Sequence, residues 1–441
     1  MLKRVKITNF KSLRDFEIEF GPLGVIVGPN AAGKSNLFDA LQLLSRLVTC
    51  KTLKEAFSPP YRGLPLESFS FGKEGIEGLL KEASAAFTIE ADVELSPSTI
   101  DRVNRHIREM KRPNKHGEHP TTDARNEAAL AFVRERNLRY RIEVEILPQS
   151  GILRVADEFL CPLNREGRET KRRRPFLERM GDRIHLRMEG QAHPTYFERY
   201  LDHSILSLPL YPPHYPHLTA FRQELANWLF FYFEPRERMR VANPIKEVRH
   251  IGMMGEELAA FLNTLKATEP AQFEAIEKAL RIIIPSARGL DIKPNSLGEV
   301  ELRLLEGDTP IPARVLSEGT LRIIGLLALM SSQDPPALIG FEEPENGIHP
   351  RRIQLVAELL KSRLAEGNTQ VLATTHSAIL CDYIPPDCLL VCRNDQGRSV
   401  ITPFTGEGLF RKPAIDDALA EPPMFEETPT SVRILRGDLD A

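Results

Sequence analysis

Apolar and polar residues alternate over residues 5–7 and 16–20, and each segment predicts a short strand. Leu23–Val27 is a continuous apolar run closed by Gly28, the pattern of a strand buried on both faces. The period then changes. Over residues 35–48, Leu37, Phe38, Leu41, Leu44, Leu47 and Val48 recur at helical spacing, with Asn36, Asp39, Gln42 and Ser45 between them. Strand, glycine loop and helix in this order form an arrangement suited to phosphate. Residues 85–95 predict another strand. Residues 100–127 are polar and basic, contain Pro113, Gly117 and Pro120, and read as an inserted loop or short helices. Strands return at 140–147, 151–156 and 183–188. The stretch 203–216 holds Pro209, Pro212, Pro213 and Pro216 and reads as a break or linker. Residues 218–233 and 255–280 follow a helical pattern, and 288–305 a strand pair. The run Cys388-Leu-Leu-Val-Cys392 reads as a buried strand. The final third alternates: a helix from Thr320, a strand at 337–341, a helix from Pro350 and a strand at 370–373. That alternation implies an α/β layer of parallel strands.

Composition narrows the class without naming it. The chain has 441 residues, 42% hydrophobic and 27% charged, which excludes disordered and fibrous proteins as a description of the whole. No apolar run approaches the roughly 20 residues that a membrane helix needs, and the start Met-Leu-Lys-Arg-Val-Lys lacks a signal core. A cytoplasmic protein with no membrane partner is expected. The five cysteines are scattered and odd in number, which is not a disulfide framework. The net charge of −3 hides an asymmetry: residues 101–180 carry 19 Lys/Arg against 13 Asp/Glu, and the last 41 residues carry 4 against 8. An acidic chain with one basic internal segment could present a local basic patch to nucleic acid, but not a general coat.

Candidate chemistry begins at Gly28-Pro-Asn-Ala-Ala-Gly33-Lys34-Ser35, a full match to G-x-x-x-x-G-K-[ST]. Glycines let backbone N–H groups approach phosphate oxygens, and the following helix N-terminus favours anions. Asn30, Ala31, Ala32, Gly33, Lys34, Ser35 and Asn36 are the nucleotide-binding candidates. Lys34 would reach the β- and γ-phosphates, and Ser35 would hold Mg²⁺. A second motif, the strand at 337–341 running into Glu342-Glu343-Pro-Glu345-Asn-Gly-Ile-His349, delivers two carboxylates to one sheet edge. One could hold Mg²⁺ and the other polarise the attacking water. His376 follows the next apolar strand. Ser317 in Leu316-Ser-Glu-Gly319-Thr320 would cap a helix.

The order of these four elements resembles the Walker A, signature, Walker B and switch-histidine motifs of the ABC ATPase superfamily. Gly-Lys-Ser-Asn ending at Asn36, the opening Ile7-Thr-Asn-Phe10-Lys-Ser and the string beginning at Glu342 resemble its RecF, SMC and OLD-like branch, which includes prokaryotic AAA family ATPases. The resemblance covers roughly residues 1–50 and 310–380. It implies an α/β fold: an ABC-ATPase-like P-loop head with a mixed sheet, plus an inserted β-rich and helical segment. The corresponding division is an ATPase lobe over 1–98, an inserted basic, partly β segment over 99–215, a helical subdomain over 216–287, a second ATPase lobe over 288–408 and an acidic tail over 409–441. ATP and Mg²⁺ are the implied cofactors. The resemblance places Glu342 at the metal with Ser35, makes Glu343 the general base and His376 the γ-phosphate sensor, and puts Ser317 and Gly319 against the nucleotide held by the partner subunit's Lys34. That is a two-fold homodimer around shared ATP sites, with higher oligomers allowed. Asn346 and Gly347 would lie in the loop that crosses to the partner. Two departures stand out: Glu342 replaces the superfamily's usual Asp, and there is no Gln between residues 50 and 98 to lead the loop that normally carries one. No acidic cluster of the Toprim type follows His376, which argues against a built-in OLD-type nuclease.

The function expected is an ATPase whose ATP-driven dimerisation regulates DNA binding or an effector protein from a neighbouring gene, in DNA repair or anti-phage defence. A nucleotide-dependent scaffold with little turnover is the alternative, and a transporter motor stands behind both. Lys171, Arg172, Arg173 and Arg174 are the DNA-binding candidates, with Arg102, Arg105, Arg108, Lys111, Arg112 and Lys115 as a second cluster. Any such contact would be with phosphate and insensitive to sequence. A solvated face explains both clusters equally well. Tyr211, Tyr215, Trp228, Phe230, Phe231, Tyr232 and Phe233 read as helical core.

Overall fold

The computed structural model describes residues 1–110, 132–170, 173–189, 194–330, 335–367 and 369–404. The chain forms two compact units. One comprises Met1–Gly21, Ser35–Trp228 and Asn394–Val400; the other comprises Pro22–Lys34, Leu229–Arg393 and, among the described residues, 401–404.

The first unit is organised by an eight-stranded sheet. Its order is Leu13–Glu19, Leu2–Phe10, Ala85–Glu94, Asn137–Leu147, Ile152–Pro162, Leu177–Met180, Arg183–Leu186 and Thr195–Glu198. Every pairing is antiparallel. The alternation along Asn137–Leu147 shows why this sheet forms. Leu138, Tyr140, Ile142, Val144 and Ile146 are buried, while Arg139, Arg141, Glu143 and Glu145 share the other face. The sheet joins strands from the first 98 residues to strands of the segment that follows. The stretch 203–216 is no linker. Ile205 and Leu206 are fully buried, and Pro216 opens the helix Pro216–Ala226 at its first position, where a missing N–H costs nothing. In the segment expected as an inserted loop or short helices over 100–127, the first part is a helix, Pro97–Met110, with Thr99, Val103 and Ile107 at four-residue spacing on its buried side. The rest of that segment, with Lys111, Arg112 and Lys115, lies outside the described residues.

A six-stranded sheet, most of whose residues belong to the second unit, has the order Trp228–Phe231, Leu338–Glu342, Gln370–Thr375, Leu23–Val27, Leu389–Asp395 and Arg398–Pro403. The four central strands are parallel and their residues are buried on both faces, apart from the last three of Leu389–Asp395. Trp228–Phe231 corrects the helix expected over 218–233. The helix ends at Ala226, and the aromatic run continues as a strand. Phe230 lies over Gly340 of the neighbouring strand, where a Cβ would fall 2.4 Å from its ring. Phe231 and Phe233 are also buried, whereas Tyr211 and Tyr232 are exposed. The helical segment 255–280 is two helices, Leu258–Thr268 and Pro270–Ile283, interrupted where Pro270 starts the second. Cys388 closes a short 3-10 turn before Leu389–Asp395, so only Cys392 of the pair lies in the strand. No helix among the described residues is long and apolar enough to cross a membrane.

Candidate nucleotide site

Parallel strands finish on the same edge, and register decides which residues meet there. Val27 pairs with Thr375, and Thr374 pairs with Glu342. Gly28, Glu343 and His376 therefore leave three adjacent strands side by side, the place where parallel sheets bind ligands. The loop after Leu23–Val27 turns through left-handed conformations at Ala31 (φ 62°) and Gly33 (φ 98°). Gly28 is required for another reason: a Cβ there would lie 2.3 Å from the Cys392 carbonyl oxygen of the adjacent strand. Cys392 also donates its Sγ–H to the Ala32 carbonyl at 3.3 Å, and burial pushes its thiol up to about 11.

Lys34 is 7% exposed, and its Nζ donates to the carbonyls of Gly28 (2.7 Å) and Pro29 (2.9 Å). Burial holds its pKa below the ordinary lysine value, against the opposing field of the Cys392 thiol and of Glu343, Glu345 and Glu342. A polyanion would relieve that desolvation. Ser35 and Asn36 follow in the chain and open the helix Lys34–Thr49; both are half-buried, and Asn36 Nδ2 donates to Ser12 Oγ at 2.6 Å. Asn30 and Ala31 are exposed, and Ala32 is buried.

Glu342 is the buried last residue of its strand. Glu343 has φ 48°, a left-handed turn for a non-glycine residue at the point where the strand ends. Its N–H donates to the Thr374 carbonyl at 2.9 Å, and its Oε1 lies 3.2 Å from His376 Nδ1. The imidazole is largely exposed, so both groups are open to a ligand at the edge. Ser317 is exposed, and its Oγ accepts the Thr320 N–H at 3.2 Å, capping Glu318–Leu329. Gly319 is buried, and a Cβ on it would meet the Gly347 carbonyl oxygen at 2.5 Å, which holds the start of that helix against the Asn346–Gly347 loop.

Three participants escaped the sequence reading. Glu345 is 5% exposed, accepts from Thr375 Oγ1 at 2.5 Å and leaves its second oxygen without a partner; burial raises its pKa. Arg322 is buried, its Nε has no partner, and it lies in the field of Glu318, Glu343 and Glu345, although burial holds its pKa below the ordinary value. A charge inside the apolar run Leu321 to Leu327 was its signal. Cys392 had none, because its role depends on a strand pairing. Of the DNA-binding candidates, Lys171 and Arg172 lie outside the described residues. Arg173 is paired with Glu135 at 2.9 Å, and Arg174 is exposed.

The carboxylates, the lysine and a loop narrowed to glycine by its neighbour fit a magnesium nucleotide. Residues 23–382 match the family described as "AAA domain, putative AbiEii toxin, Type IV TA system", and the chain belongs to that family of ABC-type ATPases. An ATP/GTP phosphatase of Helicobacter pylori is 23% identical over 403 residues, covering 86% of this chain and 85% of that one. An OLD nuclease of Thermus scotoductus is 48% identical over 44 residues, 10% of this chain; the match spans only 8% of the nuclease. The fold is shared with a crystal structure of an SmcHead bound to the C-winged helix domain of ScpA, at TM-score 0.50 and 14% identity, over 91% of this chain and 97% of that one.

Proposed function

We propose that this member of the AAA domain family binds and hydrolyses ATP with Mg²⁺, and that ATP closes two copies into a homodimer that governs DNA binding or an effector protein. The observation that carries the reading is the register that brings Lys34, Glu343 and His376 to one edge of a parallel sheet. Residues 30–36 cradle the phosphates, and Lys34 balances their charge. Ser35 and Glu342 hold the Mg²⁺, which neutralises charge on the phosphate oxygens. Glu343 accepts the proton of the attacking water, and His376, 3.2 Å from it, orients that carboxylate and faces the γ-phosphate. Ser317 is exposed, and beside it Gly319 is packed on Gly347. This supports a signature surface that completes the site of a second subunit. Roles in DNA repair or anti-phage defence belong to the same proposal.

The test compares Glu343→Gln with Ser317→Arg. The first keeps shape and hydrogen bonding but removes the base, so turnover falls by about 10²–10⁴-fold while ATP still binds. Light scattering with ATP and Mg²⁺ then shows a persistent dimer. Ser317→Arg binds ATP but does not gain mass. Normal hydrolysis by both variants would overturn the assignment.

A further inference from the structure

A cleft of about 390 Å³ opens in the second unit beside the segment that leads to Ser317. Its lining sets Arg240, Arg303 and Arg314 against one carboxylate, Glu301, over a floor that includes Pro310 and Pro312. The hairpin strand Glu299–Glu306 supplies Glu301 and Arg303, the strand Thr309–Pro312 supplies the prolines, and the 3-10 turn Ala313–Val315 supplies Arg314. The charges do not cancel. Arg303 Nη2 is committed to Glu301 Oε2 at 2.7 Å. Arg314 is exposed and makes no hydrogen bond or ion pair among the described residues. Arg240 donates through Nη2 to the Leu316 carbonyl at 2.8 Å, while its Nε is buried with no acceptor. An anionic oxygen in the cleft is the acceptor that exposed guanidinium N–H groups match.

We propose that this cleft binds a phosphate or diphosphate group carried by a small molecule. Three guanidinium groups, presented from different elements against the single carboxylate of Glu301, match the several acceptor oxygens of a phosphate. The volume lies at the lower end for small-molecule pockets and suits a ligand of mononucleotide size. The lining adds Pro310 and Pro312 to three arginines and one glutamate in a confined cleft, not the continuous basic stripe that would track a nucleic-acid strand. The ligand also has a route to the nucleotide chemistry. A phosphate oxygen bound by the Arg240 guanidinium would fix the side chain that holds the Leu316 carbonyl, one residue before Ser317.

The probe is inorganic pyrophosphate, titrated calorimetrically without Mg²⁺ into the Lys34→Ala protein, whose phosphate loop is disabled. Saturable one-to-one binding is expected, weakened about tenfold or more when Arg314→Glu is added, as for the loss of a charge-assisted contact. Arg314 is exposed, so an unchanged melting temperature verifies the fold. No binding, or equal binding with and without Arg314→Glu, would overturn the site. A single-stranded oligonucleotide is the second arm. If it binds through Arg314 and pyrophosphate does not, the ligand is a nucleic-acid phosphodiester and the small-molecule assignment fails. Because Lys34 is already replaced, neither result depends on ATP turnover.

Discussion

In the six-stranded sheet, four neighbouring strands run the same way, and their last residues present Gly28, Glu342, Glu343 and His376 along one edge. In the eight-stranded sheet every neighbour runs the opposite way, and strand ends alternate between two edges. Charge in the second case lies across the face, where it pairs locally. Arg4 binds Glu17 and Glu90, Arg139 binds Asp92, Arg141 binds Asp157 and Arg154 binds Glu145. The parallel sheet thus leaves the charges at its edge incompletely matched: Lys34 is buried among backbone carbonyls, and Glu345 and Arg322 each keep an atom without a partner. The antiparallel face is largely neutralised. Polarity in strand direction concentrates reactive groups, whereas alternation disperses them.

Four substitutions test that contrast. Glu158 of the antiparallel unit is fully buried and accepts from Tyr140 (2.8 Å), Ser204 (2.7 Å) and the Ile205 N–H (2.8 Å). Glu158→Ala strands those donors and should cost about 3–5 kcal/mol in denaturant unfolding. Nucleotide affinity in the surviving folded protein should be unchanged, and a large loss would show that the units are not separable in this way. Gly28→Ala should cost about 1–3 kcal/mol, because the methyl group collides with the Cys392 carbonyl. Here nucleotide affinity, read by equilibrium binding, should fall together with stability.

Glu345→Gln is a pH test. Burial raises the folded carboxyl pKa above its ordinary value of 4.5. The folded state therefore holds the proton more tightly than the unfolded chain. That stabilisation is complete below the ordinary value and disappears as pH rises through the folded one. Glutamine keeps an acceptor for Thr375 and removes the titration. The variant should match wild type near pH 4 and exceed it by about 1 kcal/mol at pH 7, measured by paired denaturation curves. A constant offset across pH would assign the effect to packing instead. The smallest change is expected at Arg154→Ala. This side chain pairs with Glu145 at 2.7 Å and lies over the Tyr200 ring, yet the pair is partly solvated. A loss of about 0.2–1 kcal/mol, shrinking in high salt, is the expected result.

Much of the site was legible because its signals are local. A buried strand, the sequence Gly28 to Ser35 and a helical period lie within 26 residues of one another, and the carboxylates follow directly on the apolar run 337–341. Elements whose identity rests on distant partners were not legible. Trp228–Phe231 satisfies a helical period and becomes a strand because the edge of Leu338–Glu342 accepts it and Gly340 leaves room for Phe230. The proline-rich stretch 203–216 looks like a linker, yet its Ile205 N–H is held by Glu158, 47 residues earlier.

The sequence by itself determined the phosphate loop, the paired acids, the alternation of strand and helix in the final third and the absence of a disulfide framework. Chain-local covalent order and periodicity suffice for these. Tertiary structure alone decided that Cys392 confines Gly28 and supports Ala32, that Arg322 lies in the field of Glu343 and Glu345, and that Arg240 holds the carbonyl before Ser317. Each joins residues that no repeat or spacing relates. Hydrogen bonds and burial act across a few ångströms of space, whatever length of chain separates the partners.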